Sequence, residues 1–379
     1  MDLSIEHGTL NRALRLVARV IPTKPTLPIL QMVLMEAGPG YLRLSATDGE
    51  LGVVTILAAD VTTPGRTAIP ARLLSDYVAQ LPTGQVQLTL DPDHRRVRAS
   101  SARIVANLAV LDPQDYPVLP ARDEAKALDL DAARFREAIE RVAFAAARDE
   151  HRPALAGVLF EFNAEGLTLV ATDGFRLARA RLSDAVGDAR SLIVPARAVA
   201  EFSRVLEAAE TARILPTVDG RGVYLVAKDT ALFTPVIAGP FPDIGRVIPR
   251  EWSTRVTVEK VEFRQAVRAA SLFGAGDARP VVLDVAAGRL GLQARGDETG
   301  DFHSELSCTM EGEPQAVAVN TRLLGEILDA SRGSLLELTW TTPQAPVVVR
   351  EAGHPEGIDL WMVMPLYDAA LNHRQTEAA

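Results

Sequence analysis

Two aspartates, Asp48 and Asp173, stand in identical Ala-Thr-Asp-Gly segments and are the first candidates for chemistry in this chain. A carboxylate can act as a general acid or base when a nucleophile or a second titratable group lies beside it. The two aspartates are 125 residues apart, and no nucleophile–base pair accompanies either of them. Each follows a stretch of alternating apolar residues, so the Asp-Gly pair predicts a two-residue hairpin turn and not an active site.

Other residue types that carry chemistry are sparse. Cys308 is the only cysteine, which excludes a disulfide within the chain and a thiolate cage around a metal. The histidines show no pair at the i, i+4 spacing of a helical zinc site. The chain contains no GxxxxGK[ST] or GxGxxG segment, so nucleotide binding has no support. We therefore expect no catalytic activity, no cofactor and no metal.

The Ala-Thr-Asp-Gly segments belong to a longer repeat. Arg72, Arg197 and Arg322 lie within three similar segments and are spaced by 125 residues in both intervals. A third, divergent version of the Ala-Thr-Asp-Gly segment occupies residues 294–297. A period of this length exceeds that of a solenoid unit and has the size of a whole domain.

Each repeat also contains an amphipathic segment upstream of its arginine. Apolar residues at i, i+3 and i+4 predict a helix in all three: residues 10–17, 135–142 and 263–270. Short alternating runs such as residues 86–90 predict strands between the helices. Proline-rich segments separate the repeats and suit domain junctions. The sequence thus predicts three homologous α+β domains, with these boundaries: 1–122, 123–252 and 253–379.

Composition limits the class of protein. The 379 residues are 47% hydrophobic and 23% charged, as in globular domains. No apolar run reaches the length of a membrane span, and the first ten residues lack the pattern of a secretory signal, so we expect a cytoplasmic protein. The net charge of −9 argues mildly against a conventional nucleic-acid binder, although the local distribution of charge matters more.

Two local patterns leave alternatives open. Arg12, Arg15 and Arg19 cluster opposite the apolar stripe of the first helix, where they could contact a phosphate backbone or simply face solvent. Leu272 and Phe273 extend the third helix off its buried face. They could cap the core of their own domain or mark a subunit interface.

Four motifs in order, together with the triple repeat, resemble the bacterial DNA polymerase III β subunits, the sliding clamps. The motifs are KPTLPIL (24–30), VATDGFRLA (170–178), FPD with RVIP (241–249) and VMPL (363–366). The resemblance covers essentially the whole chain. It implies a head-to-tail homodimeric ring of six domains that encircles duplex DNA without reading its sequence, with helices lining the hole and sheets outside.

The resemblance also implies partners and a docking pocket. The partners are the polymerase III α subunit, the clamp-loader complex, and other DNA polymerases and repair proteins, which dock through short linear motifs. By motif, the pocket is formed by Leu155, Thr172, Gly174, Phe175, Arg176, Leu177, Pro242, Arg246, Val247, Val363, Met364, Pro365 and Leu366. For each apolar member, ordinary core packing is the competing interpretation.

Further positions follow from the same resemblance. The residues expected to contact DNA are Lys24, Arg148, Arg152, Arg12, Arg15, Arg19, Arg72 and Arg197. Asp149 departs from the pattern, because an acid cannot bind phosphate, so its neighbours Arg148 or Arg152 would serve. The subunit contact is expected between Leu272 with Phe273 on one copy and the strand containing Ala106 and Leu108 on the other.

The end of the chain is a second departure, because residues 368–379 extend beyond the VMPL motif. They are interpreted as a disordered end or as a segment that folds back over the pocket through Leu371. A three-repeat scaffold that does not encircle DNA remains the alternative to a clamp.

Overall fold

The computed structural model describes residues 1–91, 93, 95–149, 151–183, 185, 187, 189–273, 276, 279–296, 298–353 and 359–366. It forms two compact units. The first unit comprises Met1–Phe135 and Glu201–Val236, and the second comprises Arg136–Ala200 and Ile237–Ala379. Each unit is described by itself below.

Six α-helices occur in the described residues, two for each predicted repeat. They are α1 (His7–Ala18), α2 (Ala71–Ala79), α3 (Ala132–Val142), α4 (Ala196–Leu206), α5 (Lys260–Ala270) and α6 (Thr321–Ala330). All three predicted amphipathic segments are helical, and the second helices of the repeats begin 125 residues apart. None of the helices in the described part is long and apolar enough to cross a membrane.

Most of the strands occur in runs of several between successive helices, which agrees with the predicted α+β class. In chain order they are β1 (Asp2–Glu6), β2 (Met32–Gly38), β3 (Tyr41–Thr47), β4 (Gly52–Ala58), β5 (Asp60–Thr63), β6 (Gly65–Pro70), β7 (Gln85–Leu90), β8 (Arg96–Ser101), β9 (Ile104–Ala109), β10 (Leu128–Asp131), β11 (Gly157–Asn163), β12 (Gly166–Thr172), β13 (Arg176–Leu182), β14 (Arg190–Pro195), β15 (Thr211–Pro216), β16 (Gly222–Ala227), β17 (Thr230–Pro235), β18 (Thr254–Glu259), β19 (Pro280–Ala286), β20 (Arg289–Gly296), β21 (Gly300–Gly312), β22 (Ala316–Asn320), β23 (Leu335–Trp340), β24 (Val347–Glu351) and β25 (Leu360–Val363).

The first unit contains two antiparallel sheets. The five-stranded sheet has the order β5-β1-β7-β8-β9, so β9 is an edge strand. The eight-stranded sheet has the order β10-β15-β16-β17-β4-β3-β2-β6, and the β17–β4 pair joins strands of two successive repeats. Helix α1 packs on α2 and covers β3 and β4, and it buries Leu10, Leu14 and Val17 completely. Each such side chain contributes about 1.5–3 kcal/mol to stability.

The second unit contains one antiparallel sheet of twelve strands, in the order β14-β11-β12-β13-β25-β24-β23-β18-β21-β20-β19-β22. Here the β13–β25 pair joins strands of two successive repeats. The long strand β21 changes partner along its length, because residues 300–307 pair with β20 and residues 308–312 pair with β18. Helices α5 and α6 pack on each other, with α5 also on β18, β20 and β21.

The predicted two-residue hairpin turn is wrong in both Ala-Thr-Asp-Gly copies. The last paired residues are Thr47 and Gly52 in the first hairpin, and Thr172 and Leu177 in the second. Four residues therefore lie between the last paired positions of each hairpin.

The aspartate side chain explains the longer loop. The Oδ1 atom of Asp173 accepts hydrogen bonds of 2.9 Å from the N–H groups two and three residues ahead. Asp48 makes the same two bonds, at 3.0 and 2.7 Å. A two-residue turn of type I′ needs positive φ at both central residues, whereas only the glycines adopt it here, Gly49 at +104° and Gly174 at +91°. The carboxylates thus close the loops by satisfying backbone donors.

Candidate partner-peptide pocket and cationic surfaces

The second Ala-Thr-Asp-Gly turn lies directly beside the C-terminal strand. Strand β13 pairs with β25 up to Arg176, which stands opposite Val363. Beyond β25, the N–H of Met364 donates to the carbonyl oxygen of Phe175 at 2.8 Å. The N–H of Leu366 donates at 2.7 Å to the carbonyl oxygen of Ala318, in the middle of β22. Backbone hydrogen bonds therefore hold the predicted Val-Met-Pro-Leu wall next to the turn.

An apolar cluster lies at this junction. Its buried members are Val170, Leu177, Val348, Leu360 and Met362. Partly buried side chains pack against them: Leu159, Phe241, Ile244, Ile248 and Met364. Members of this cluster come from three of the four sequence motifs, those at residues 170–178, 241–249 and 363–366. Since several members are only partly buried, apolar surface is accessible at this junction, and apolar side chains of a ligand could pack on it. We call this surface the groove at the β13–β25 junction.

The segment that contributes Phe241 to this cluster also presents an exposed rim. Pro242, Arg246 and Val247 are all exposed. The carboxylate of Asp243 accepts a hydrogen bond from the backbone and pairs with Arg246 at 3.0 Å, which fixes the short turn between them. Since the guanidinium of Arg246 is largely in solvent, this pair contributes little to stability.

Arg176 occupies a different environment from Arg246, because only 2% of its side chain is exposed. Its guanidinium donates to Asp173 at 3.1 Å, to Glu326 and, at 2.7 Å, to the carbonyl oxygen of Phe144. It also lies 5.1 Å from the centre of the Phe144 ring. The donors of Arg176 are thus directed inward, where they tie the turn to helix α6.

Glu326 on α6 pairs with two arginines, Arg176 and Arg322. Burial alone would raise its pKa, but hydrogen bonds and charge from Arg176 and Arg322 outweigh this effect and hold the pKa of Glu326 below its ordinary value. The carboxylate is therefore ionised at neutral pH and continues the link from the turn into the helix.

Arg152, which the resemblance assigned to DNA, lies over the same turn. Its guanidinium donates to the carbonyl oxygen of Asp173 at 3.1 Å. A Cβ atom at Gly174 would lie 3.1 Å from Nη1 of Arg152, so the absence of a side chain allows this approach. Leu155 is buried in the short turn that follows Arg152, whereas Phe175, next to Gly174, is exposed.

The predicted DNA-contacting residues of the first unit are exposed. On α1, Arg12 and Arg15 face solvent on the side opposite the buried stripe, as predicted. Arg19 pairs with Glu201 through two hydrogen bonds of 2.7 and 3.1 Å, which raise its pKa. Arg72 on α2 donates to a backbone carbonyl at 3.2 Å, and Lys24 lies in an exposed loop.

In the second unit, Arg148 and Arg197 are exposed as well. Asp149 is exposed and accepts a hydrogen bond of 3.2 Å from the N–H of His151, so its carboxylate stabilises its own loop. This contact accounts for an acid at a position where the resemblance suggests a phosphate ligand. No group of three or more His, Cys, Asp or Glu within the described ranges is arranged to hold a metal ion.

The predicted interface residues lie at sheet edges or turns. Ala106 and Leu108 belong to the edge strand β9, where Leu108 is buried and Ala106 is half-buried. The prediction that Leu272 and Phe273 extend α5 is wrong, because the helix ends at Ala270 and both residues lie in the following turn. Phe273 stacks on Phe302 of β21 with 5.6 Å between ring centres, while 71% of Leu272 is exposed.

Comparison with protein families accounts for this arrangement. The sequence matches three successive domains of the DNA polymerase III beta subunit: the N-terminal domain over residues 1–120, the central domain over 129–243 and the C-terminal domain over 245–365. The chain belongs to the family of beta sliding clamps. The prediction of this family from four motifs and a triple repeat is confirmed.

Individual beta clamps match over their full length. The beta sliding clamp of Caulobacter vibrioides (strain NA1000 / CB15N) is 32% identical over 97% of this chain and 100% of its own. A C. crescentus clamp structure, with polyethylene glycol bound at a candidate beta-motif tethering region, has 31% identity and a TM-score of 0.90 over 97% of this chain and all of its own. The clamp of Pseudomonas aeruginosa bound to griselimycin has 25% identity and a TM-score of 0.92 over the same shares.

Several side chains at the clamp's groove were not predicted from the sequence. Phe241 and Ile248 lie within two of the sequence motifs, and Met362 immediately precedes the Val-Met-Pro-Leu motif. Their position in or beside these motifs was the sequence signal that could have identified them. Glu326 carried no signal, because its contact with Arg176 spans 150 residues. The tail at 368–379, including Leu371, and residue 297 of the third repeat lie outside the described residues.

Proposed function

We propose that this chain is a DNA sliding clamp, which encircles duplex DNA and tethers the replicative polymerase for processive synthesis. The observation that carries the proposal is the match to all three beta-subunit domains, in order, across residues 1–365. A closed ring retains DNA by topology, so the net charge of −9 is compatible with this function. The chain then acts in the cytoplasm as a non-catalytic subunit of the polymerase.

The proposed domains end at the predicted boundaries, 1–122, 123–252 and 253–379, and two copies form the ring head to tail. Strand β9 is an edge strand, and residues 300–307 of β21 pair only with β20 among the described strands. Pairing of these two edges between copies would satisfy their free backbone groups. Phe273 stacks on β21, and Leu272 beside it then covers the apolar residues of the partner's β9.

The docking site for partners is the groove at the β13–β25 junction. Short linear motifs of the polymerase α subunit, the clamp loader, and other polymerases and repair proteins would insert apolar side chains against Leu177, Met364 and Phe175. Arg246 is largely in solvent beside Asp243 and would meet the polar end of such a peptide. Arg176 instead acts as a positioning residue, because its donors hold the turn and do not reach solvent.

The exposed arginines of the helices would contact phosphates without reading bases, which permits sliding. Arg12 and Arg15 are the strongest candidates, because both side chains are exposed, whereas Arg19 is paired with Glu201. Arg152 is held at the peptide groove by its bond to Asp173, so its DNA contact would require release of that bond.

Primer extension on a singly primed circular template tests the proposal. With the cognate polymerase and clamp loader, addition of the chain should extend products to full circle length in a single binding event. Met364→Asp places a charge in the apolar groove and should abolish long products, whereas Arg98→Glu on β8 serves as a matched surface control. Products of equal length with and without the chain would contradict the proposed function.

A further inference from the structure

The first unit contains a second groove, at the β17–β4 junction. A cavity of about 630 Å³ crosses the eight-stranded sheet beside residues 116–122. This volume is within the range of about 300–1,000 Å³ that ligand sites occupy. The groove lies where strands of two successive repeats pair, as the candidate peptide pocket does at the β13–β25 junction of the other unit.

Two buried tyrosines fix the segment that borders this groove. The hydroxyl of Tyr116 donates to the carbonyl oxygen of Ser45 at 3.0 Å, and that of Tyr224 donates to the carbonyl oxygen of Pro120 at 2.6 Å. Burial raises the pKa of both tyrosines, so both hydroxyls keep their protons. The segment is thus tethered at two points, and a ligand would not have to order it on binding.

The floor of the groove is apolar and partly open. Val54 and Ile56 of β4 lie beside Ala231 of β17 and Val226 of β16 in adjacent strands of the sheet, and Ile56 is exposed. Val118, which borders the groove, is 89% exposed although it lies in a segment that is tethered on both sides. An apolar ligand side chain would cover these surfaces and remove them from water.

The rim of the groove is cationic. Five cationic side chains line it: Arg43, Arg66, Arg122, Arg213 and Lys228. Only two carboxylates do so, those of Glu36 and Asp229.

Some of this positive charge is already compensated. Arg43 and Arg66 share Glu36, at 3.8 and 3.2 Å, so a single carboxylate serves two guanidinium groups. Glu124 and Asp129 outside the groove pair with Arg122 and Arg213. Lys228 is exposed in the β16–β17 turn. With Asp229 beside Lys228 included, the five cations meet four carboxylates, so one positive charge remains in excess, at the arginine pair that shares Glu36, on a protein whose net charge is −9.

We propose that this groove is a second docking site, which binds a short acidic segment of a partner protein. Carboxylates of the segment would pair with Lys228 and Arg66 on the rim, and an apolar side chain between them would enter the floor. The groove follows the sheet face beside a fixed segment, so its occupant is an extended peptide. The site is independent of the groove at the β13–β25 junction and of DNA encirclement.

Binding of a fluorescein-labelled acidic octapeptide, DELEFLDE, to the full chain tests this proposal. The double variant Lys228→Glu/Arg66→Glu should weaken binding about tenfold or more, because charge-assisted contacts become repulsive. Ile56→Asp should weaken it as well. Arg98→Glu is the control for loss of an exposed cation elsewhere, and Met364→Asp is the control for binding at the other groove. Neither control should change the affinity.

Zero-length carbodiimide coupling locates the peptide without relying on a variant. Glutamates of the bound octapeptide should couple to the amine of Lys228, as identified by peptide mass spectrometry. Lys228→Gln/Arg66→Gln, which removes charge without reversing it, should weaken binding while the urea midpoint stays unchanged. Unaltered affinity in both double variants, coupling only at other lysines, or tighter binding of KKLKFLKK or a DNA duplex would overturn the proposal.

Discussion

Replacement of Arg176 by methionine tests whether this buried guanidinium holds the docking turn in place. Methionine retains much of the aliphatic volume but leaves the carboxylates of Asp173 and Glu326 without their buried cation. Breaking a buried charge pair costs about 3–5 kcal/mol. The two carboxylates are 18% and 28% exposed and regain some water, so we expect the lower end, about 3 kcal/mol.

Urea unfolding followed by tryptophan fluorescence measures this loss, since Trp340 and Trp361 are both buried in the second unit. The matched control is Arg246→Met, which removes an exposed arginine from the same groove and should change the free energy of unfolding by less than about 0.5 kcal/mol. At urea concentrations where Arg176→Met is still folded, its affinity for a peptide from the cognate polymerase α subunit should also fall. A loss of stability equal to that of the control would refute the assigned role of Arg176.

Three further outcomes follow from the same geometry. Gly174→Ala should lose more stability in thermal unfolding than Gly49→Ala. Both sites have positive φ, which costs alanine about 1–2 kcal/mol, but only at Gly174 would the added Cβ atom also press on Arg152. Equal losses in the two variants would contradict that contact. The lowered pKa of Glu326 gives stability that is present above its ordinary value of 4.5 and is lost as pH falls through the folded pKa. Glu326→Gln should therefore reduce the fall in the free energy of unfolding, measured with urea, at acid pH. An unchanged fall would exclude Glu326 as its source. Leu272→Asp should shift the chain from dimer to monomer in analytical ultracentrifugation, and a dimer of unchanged stability would reject the proposed interface.

The sequence predicted the elements of this fold well because their signals are local. The apolar stripe at residues 10–17 has the helical period, and Leu10, Leu14 and Val17 are buried in α1 as expected. Alternation in residues 86–90 similarly identified β7. The 125-residue repeat then carried the prediction from one domain to all three.

Prediction failed where side-chain contacts override a local pattern. Asp-Gly after an alternating strand is typical of a two-residue turn, but the Asp173 carboxylate binds backbone donors and lengthens the loop. The role of Arg176 could not be read from its motif, because its partner Glu326 is 150 residues away. Leu272 was expected to extend α5 off its buried face, yet the helix ends two residues earlier.

Retention on DNA distinguishes a ring that holds DNA by topology from a protein that is held by charge alone. The chain, labelled on its single cysteine, Cys308, is loaded onto nicked circular DNA by the cognate clamp loader with ATP and separated from free protein by gel filtration. A topological clamp should stay with the circle in high salt and dissociate once a restriction enzyme linearises it. Equal retention on circular and linear DNA, or loss from both when the salt is raised, would contradict the account.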